Sequence, residues 1–420
     1  GKLYFANLNT LKIAEKYNTP IYIINEQMIR KRYKELKNAL NLRYKRNRIY
    51  YAVKANTNLS ILKILRSEGS YFDCSSIGEI YASLKSGVSS DRIIYTGNMF
   101  TNNDFEFAID KDVLINLDSY SQLIRLSKIY ENKGKDKKIV SFRFNPEFGA
   151  GHHPHTITAG KKIKFGILET QMIKAYSKAK ELGFKKYGIH QHIGSGIIDA
   201  TDYEKPIEKF LFIIEKLVNE LGIQFEFVDF GGGLGIPYHP EANPLDLTKY
   251  SEIVINRFKE IVEKGEIGEP FLFIEPGRYI SAEASIILAQ INTIKDNGYK
   301  LFAGLDAGFH TLIRPTMYGS YHHILACKKN KKETLKYDIV GPICESGDVL
   351  GKERELPELS EGEYLAILDA GAYGFTMSSP YNSRPRPAEL LINDGNIYKI
   401  RDEETFNNLI ENQIIPKHLK

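Results

Sequence analysis

From about residue 48 to 280, short β-rich runs alternate with longer stretches whose apolar positions recur every three or four residues. The runs fall at 49–53, 71–74, 93–96, 114–117, 139–144, 188–192, 225–230 and 271–274. The amphipathic stretches fall at 59–68, 79–86, 120–132, 172–182, 203–221 and 250–263. Eight strand–helix units in roughly 230 residues is the arithmetic of a (β/α)8 TIM-type barrel. An open doubly wound sheet seldom needs so many parallel strands. After residue 280 the texture changes to short strands at 285–294, 337–340, 364–368, 390–393 and 397–400, separated by Gly, Asn, Asp and Pro. Within them Asn393-Asp394-Gly395-Asn396 carries a hairpin signal. The pattern therefore predicts an α/β chain, a barrel followed by an all-β domain of sandwich or Greek-key type. A helix at 11–17 and a strand at 21–24 precede them, and pattern alone assigns these to neither half.

Composition narrows the class. The 420 residues are 42% hydrophobic and 26% charged, as in ordinary globular domains. The longest apolar runs, at 210–214 and 271–274, are too short to span a membrane, and residues 1–10 hold no secretory core. The chain begins at Gly1, as expected of a trimmed start. A net charge of +5 suits anionic small molecules but is too diffuse for a nucleic-acid footprint; the basic run at 328–332 reads as a solvated turn. Cys74, Cys327 and Cys344 lack metal-ligand spacing and fit a reducing cytoplasm.

In a barrel the chemistry sits where strands end. The first strand runs into Val53-Lys54-Ala55, a lysine in apolar surroundings whose desolvation would favour Schiff-base chemistry; a lysine snorkelling at the rim is the plainer alternative. The sixth ends in His190-Gln191-His192-Ile193-Gly194-Ser195-Gly196, where the two histidines share a strand face. They either begin a metal site, with no third ligand in evidence, or offer one imidazole to a flat ligand with Ser195 near a phosphate. The seventh ends in Gly231-Gly232-Gly233-Leu234-Gly235, a phosphate nest at the usual barrel position. The eighth ends in Glu275-Pro276-Gly277-Arg278, which either pair with each other or divide between a ring nitrogen and an anion. Together these supply an imine anchor, a stacking face, a phosphate cradle and a ring-nitrogen acid, the set that pyridoxal phosphate requires.

The motifs YAVKAN, HIGS, GGGLG and EPGR, in this order, resemble the fold-type III pyridoxal-phosphate decarboxylases, which share an alanine-racemase-like barrel and a β domain. Ile313-Arg314-Pro315-Thr316-Met317-Tyr318, Cys344-Glu345-Ser346-Gly347-Asp348, Asp369-Ala370-Gly371-Ala372-Tyr373-Gly374 and 381–387 narrow the resemblance to the diaminopimelate decarboxylase family. The resemblance implies a barrel over 30–283 and a β domain over 284–420 that includes the N-terminal segment 1–29. It implies decarboxylation at the D centre of meso-2,6-diaminopimelate to L-lysine, the last step of lysine synthesis. Lys54 would carry the cofactor as an imine and His192 would stack on its ring. Ser195, Gly233, Gly277 and Arg278 would hold its phosphate, Glu275 would meet its pyridine nitrogen, and Tyr373 would touch it. Arg278, Arg314 and Tyr318 would bind the retained carboxylate, Glu345 the distal ammonium, and Tyr373 would also face substrate. Cys344 would protonate the carbanion. In the family the Cys344 and Glu345 positions come from a partner chain, so a cytoplasmic homodimer with composite sites is expected, with no metal.

Chemistry supports the substrate: two arginines and a carboxylate match a distal end carrying one carboxylate and one ammonium. Arg314 and Glu345 count against ornithine, and Glu275 against a racemase, because an arginine at the ring nitrogen would weaken the electron sink. Carboxynorspermidine and arginine are the remaining rivals of this fold. A regulatory relative would have lost Lys54 or Cys344, and both are present. The chain departs from the family in three places. Gln191 stands where Cys is usual, 309–312 lacks the common Asn-Asp pair, and 149–155 is unusually rich in His; as the long loop after the fifth strand it is read as a lid, with a metal site a poor second.

Overall fold

The computed structural model describes residues 1–151, 153, 157–328 and 333–420; His152 and His155 of the expected lid and the basic run after Lys328 lie outside the described residues. Residues 30–237 and 243–280 form one unit, and residues 1–29, 238–242 and 281–420 the other.

The first unit is a closed barrel of eight parallel strands: β1 (Asn47–Ala52), β2 (Tyr71–Cys74), β3 (Ile93–Thr96), β4 (Leu114–Leu117), β5 (Ile139–Phe144), β6 (Lys186–Gln191), β7 (Phe225–Asp229) and β8 (Phe271–Ile274). β8 closes the ring on β1 through Leu272↔Asn47 and Ile274↔Ile49. The six expected helices are present, their ends moved by up to three residues. The helix Glu204–Leu221 buries Ile207, Phe210, Leu211, Ile214 and Leu217 along one stripe and stops at Gly222 in the left-handed conformation. A helix at Asn102–Asp110 was not anticipated; a Thr101–Asp104 capping box starts it.

Period-two alternation sorts the strand residues into layers inside the barrel. Tyr50, Ile94, Phe227 and Phe273 fill its middle, with Phe227 and Phe273 stacked at 4.6 Å. Gly188 makes this possible, since a Cβ there would stand 2.1 Å from the Phe227 ring. Gly188→Ala is therefore expected to destabilise the protein by about 3 kcal/mol in urea unfolding, and Phe227→Leu in the same chain to restore most of the loss. Two residues further along the strands, on the same face, come Ala52, Thr96, Asn116, His190, Asp229 and Glu275, with Asp73 two beyond Tyr71. The apolar plug thus puts a polar layer at the carboxyl ends of the strands.

The second unit is mostly sheet. Its strands run in the order Val349–Pro357, Thr334–Val340, Leu301–Leu305, Ser285–Asp296, Ile21–Asn25, Ala388–Asn393 and Asn396–Arg401. Tyr364–Ile367 also pairs with Ser285–Asp296 and with Ile324–Ala326. The N-terminal strand Ile21–Asn25 lies inside this sheet, antiparallel to one neighbour and parallel to the other. At the expected hairpin Asn393 pairs with Asn396, with Asp394 and Gly395 at φ 48° and 78°, a type I′ turn. Tyr22, Ile287, Ala289, Leu365 and Ile367 lie at the centre of its core. Among the described residues, no helix is long and apolar enough to cross a membrane.

Candidate active site

The barrel half of the site grows from the ends of β1, β2, β6, β7 and β8. β1 stops at Ala52, and Lys54 rides on the 3-10 turn Val53–Ala55. Its Nζ donates to Asp73 Oδ2 at 2.6 Å and to Ser75 Oγ at 3.4 Å. The sequence reading placed this lysine among apolar neighbours; the structure corrects that, because the strand next to it presents a buried carboxylate. Burial and the negative charge of Glu275 push Asp73 up to about 7, against the pull of Lys54. Asp73 Oδ1 is buried with no hydrogen-bond partner, an acceptor left open beside the lysine.

Glu275 follows β8 and is 3% exposed. Thr96 Oγ1 donates to Oε1 at 3.3 Å, and His190 Nε2 stands 3.1 Å from Oε2. Burial would raise this carboxyl, but the His190 hydrogen bond and the Lys54 ammonium outweigh it and hold it at about 2. Glu275 is therefore ionised at any working pH, as a partner for a ring N–H must be. His190 and His192 both turn to the barrel mouth, as their spacing required. The histidine pair does not grow into a metal site: His190 has Asp229 and Glu275 beside it, one polar atom of each lying within 4.8 Å of the others, and His192 is not part of that group. His192 is half-buried, and desolvation together with the Arg143 charge pushes it well below the usual histidine range. A neutral imidazole is what a ring-stacking role asks for.

The glycines hold three loops against one another. A Cβ at Gly231 would lie 2.2 Å from the Gln191 carbonyl, at Gly232 2.3 Å from that of Glu275, and at Gly233 2.7 Å from the Tyr203 hydroxyl. Gly231 and Gly233 also adopt φ 70° and 107°. Ile197 N donates to Gly233 O and Gly235 N to Ile197 O, so the β6 and β7 loops run side by side. Arg278 reaches this junction, its Nη2 donating to Ser195 Oγ at 2.9 Å. Of the two alternatives left open for Glu275 and Arg278, the one in which they divide describes these bonds: Glu275 accepts from Thr96 and stands against His190, and Arg278 donates to Ser195. Gly277 lets its turn settle on Ala55, beside the lysine, where a Cβ would come within 2.9 Å. Lys54, Ser195, Gly233, Glu275, Gly277, Arg278 and His192 are thus gathered at one end of one barrel. An amine, a neutral imidazole, a permanently charged carboxylate and a side-chain-free loop beside an arginine fit pyridoxal phosphate.

The β-domain residues are prepared within their own unit. Arg314 is 1% exposed at the start of the short helix Arg314–Tyr318. It lies over the Tyr238 ring at 4.6 Å and donates to Ser320 Oγ at 3.2 Å and to His322 Nε2 at 2.8 Å. His322 Nδ1 is 2.8 Å from the Leu368 carbonyl, which makes Nδ1 the protonated nitrogen and Nε2 the acceptor. Tyr318 is half-buried. Cys344 is exposed, whereas Cys74 and Cys327 are buried, so a small-hydrophobe role does not describe it. Asn382 Nδ2 donates to its sulfur at 3.1 Å, and Tyr381 donates to Glu345 Oε1 at 2.5 Å. Their loop is braced by buried Asp348, which accepts from Phe309 N at 2.6 Å and Ile343 N at 2.8 Å. Tyr373, at φ 58°, sits in a turn pressed against its surroundings at Gly371, where a Cβ would be 1.9 Å from Ser281 O.

Sequence reasoning missed Asp73, Asn382, Tyr381, Ser320 and His322 as neighbours of the site residues. Asp73 had a usable signal, an acid inside the apolar run Tyr71–Cys74. Tyr381 and Asn382 meet Glu345 and Cys344 from a distant segment, whereas Ser320 and His322 reach Arg314 through a local turn six and eight residues on.

Residues 26–282 match the family model of the pyridoxal-dependent decarboxylases, pyridoxal binding domain. The chain is 47% identical to a diaminopimelate decarboxylase of Methanothermobacter thermautotrophicus, over all of this chain and 97% of that protein. A diaminopimelate decarboxylase of Aquifex aeolicus is 37% identical over 98% of this chain and 95% of its own. The crystal structure of the M. jannaschii diaminopimelate decarboxylase in co-complex with L-lysine superposes with a TM-score of 0.93 at 33% identity, covering 100% of this chain and 98% of that one. By its whole-length similarity and its barrel site, the chain belongs to the diaminopimelate decarboxylase family of pyridoxal-phosphate enzymes.

Proposed function

We propose that the protein decarboxylates meso-2,6-diaminopimelate at its D centre, releasing carbon dioxide and L-lysine, the last step of lysine synthesis. The observation that carries this is the 47% identity to a diaminopimelate decarboxylase along the entire chain. The Lys54–Asp73 and Glu275–His190 pairs at the barrel mouth supply the chemistry. When bound, pyridoxal phosphate provides a sink for the electron pair left at Cα as carbon dioxide departs. Lys54 anchors it, Asp73 holds the lysine in place, and His192 offers the face of its ring. Ser195, Gly233, Gly277 and Arg278 receive the phosphate. Glu275 fixes a proton at the pyridine nitrogen, and Tyr373 borders both cofactor and substrate. Arg278, Arg314 and Tyr318 bind the carboxylate that is kept, the fork of Arg314 being set by His322 and Ser320. Glu345 takes the distal ammonium, and Cys344 returns a proton to Cα from its sulfur. The protein works in the cytoplasm on a small-molecule substrate.

Carbon dioxide release is to be measured from meso-, LL- and DD-diaminopimelate, ornithine, arginine and carboxynorspermidine. Release from the meso isomer alone supports the reading; activity confined to a substrate without a distal amino-acid end overturns it.

The exposed Cys344 and Glu345 are read as serving the site of a second copy, which makes the working form a homodimer with composite sites. Lys54→Ala and Cys344→Ala variants, each inactive alone, are then expected to regain about a quarter of wild-type activity on mixing. Half of the dimers are mixed, and each mixed dimer has one intact site. No recovery after verified subunit exchange would refute the composite site.

A further inference from the structure

The strands that build the barrel mouth enclose more carboxylate than Glu275 alone requires. Asp229 is 0% exposed at the end of β7, in register with His190 on one side and Phe273 on the other. Its Oδ1 accepts from Gly231 N at 2.9 Å, while Oδ2 is buried and receives no donor, and the carboxyl group lies against that of Glu275. His190 is equally buried, and its Nδ1 too is unpartnered. Its Nε2 faces Glu275, an acceptor, so the proton of the neutral ring sits on Nε2. Two carboxylates and an imidazole with ligand atoms within 4.8 Å, all out of water, cannot carry two negative charges without a large desolvation cost.

We propose that His190 and Asp229 are positioning residues that keep the negative charge of this cluster on Glu275. His190 does so by donating its Nε2–H to Oε2, and Asp229 by standing beside it as the neutral acid. The inference rests on the assignment of Glu275 to the cofactor's ring nitrogen, and it explains how that carboxylate stays charged with a second acid at its side. Burial and the charge of Glu275 raise Asp229 well above the carboxylate range, and burial lowers His190. The other groups facing the cluster are Lys54, Asp73, Arg143, His192, Tyr50 and Tyr250. Of the two cations, Lys54 is ion-paired with Asp73 at 2.6 Å, and the carboxylate acting most strongly on Arg143 is Asp118.

The test uses full-length protein loaded with pyridoxal phosphate and reads two quantities other than turnover. These are the affinity of the apo form for the cofactor and the pH midpoint of the bound cofactor's visible absorption. His190→Leu removes the donor and is expected to weaken cofactor binding about tenfold and to move the midpoint by about one pH unit. His190→Gln, which restores an N–H, is expected to return both toward wild type. Asp229→Asn replaces a neutral acid by a neutral amide and is expected to leave the midpoint in place. A midpoint unmoved in His190→Leu, or displaced by a unit or more in Asp229→Asn, overturns the proposal. Glu275→Gln is the separating control: if it moves neither quantity, the ring-nitrogen assignment itself falls. If it moves both while its neighbours behave otherwise than stated, only the positioning roles fall.

Discussion

Lys54→Ala is expected to lower kcat on meso-diaminopimelate by roughly 10,000-fold or more while leaving a folded barrel, because the lysine is the amine placed at the strand ends to anchor the cofactor. The second half of that expectation follows from Asp73. Removing its 2.6 Å partner takes the compensating charge away from a fully buried carboxyl group. It has an easier course: Asp73 already titrates at about 7 with the lysine present, and without that ammonium its carboxyl moves higher and stays neutral. The alanine variant should therefore unfold in urea near the wild-type midpoint, and added cofactor should exchange freely on gel filtration instead of travelling with the protein. Residual turnover above about one per cent of wild type would show that another amine anchors the cofactor.

Most of the barrel was legible because its strands are short, apolar and bounded by polar breaks, and five of them, β2 to β5 and β8, coincide with the sequence reading residue for residue. β6 was placed two residues late. It begins at the exposed Lys186 because its ladder to β5 starts at Ile139↔Lys186, and a neighbour's register is not written in the strand's own pattern. In the second unit Val349–Pro357 escaped notice for a related reason. Lys352, Glu353, Arg354 and Glu355 break any apolar alternation, and the strand exists through its ladder with Thr334–Val340. The site divides in the same way. Glycines, histidines and the lysine at strand ends declare themselves, since such residues are costly in those positions without a purpose. What pairs with them does not. Asp73 meets Lys54 only because β1 and β2 are neighbours in register, Ala52↔Asp73, and His322 meets Arg314 only through a turn that the sequence does not announce.

The role of Glu275 gives the second large effect. Glu275→Gln keeps the shape of the side chain and an oxygen to accept from His190 or Thr96, so the fold has little reason to fail. What it removes is a carboxylate held at about 2, and with it the charge that keeps a proton on the pyridine nitrogen. Loss of one preorganised charge at the reacting centre is worth on the order of 100- to 1,000-fold in kcat, and that fall is expected here with little change in KM. A second consequence separates this electrostatic role from a structural one. The charge of Glu275 is among the causes that raise Asp73, so the glutamine variant should let Asp73 ionise at lower pH than about 7 in the apo protein. The sign is fixed by geometry: removing a negative neighbour favours the anion. Carboxyl titration by NMR or difference infrared spectroscopy on the apo forms reads it directly. A kcat loss with Asp73 unmoved would place Glu275 too far from the lysine end of the cluster to act through charge, whereas a downward shift together with the loss ties the lysine anchor and the ring-nitrogen acid into one electrostatic unit across the barrel mouth.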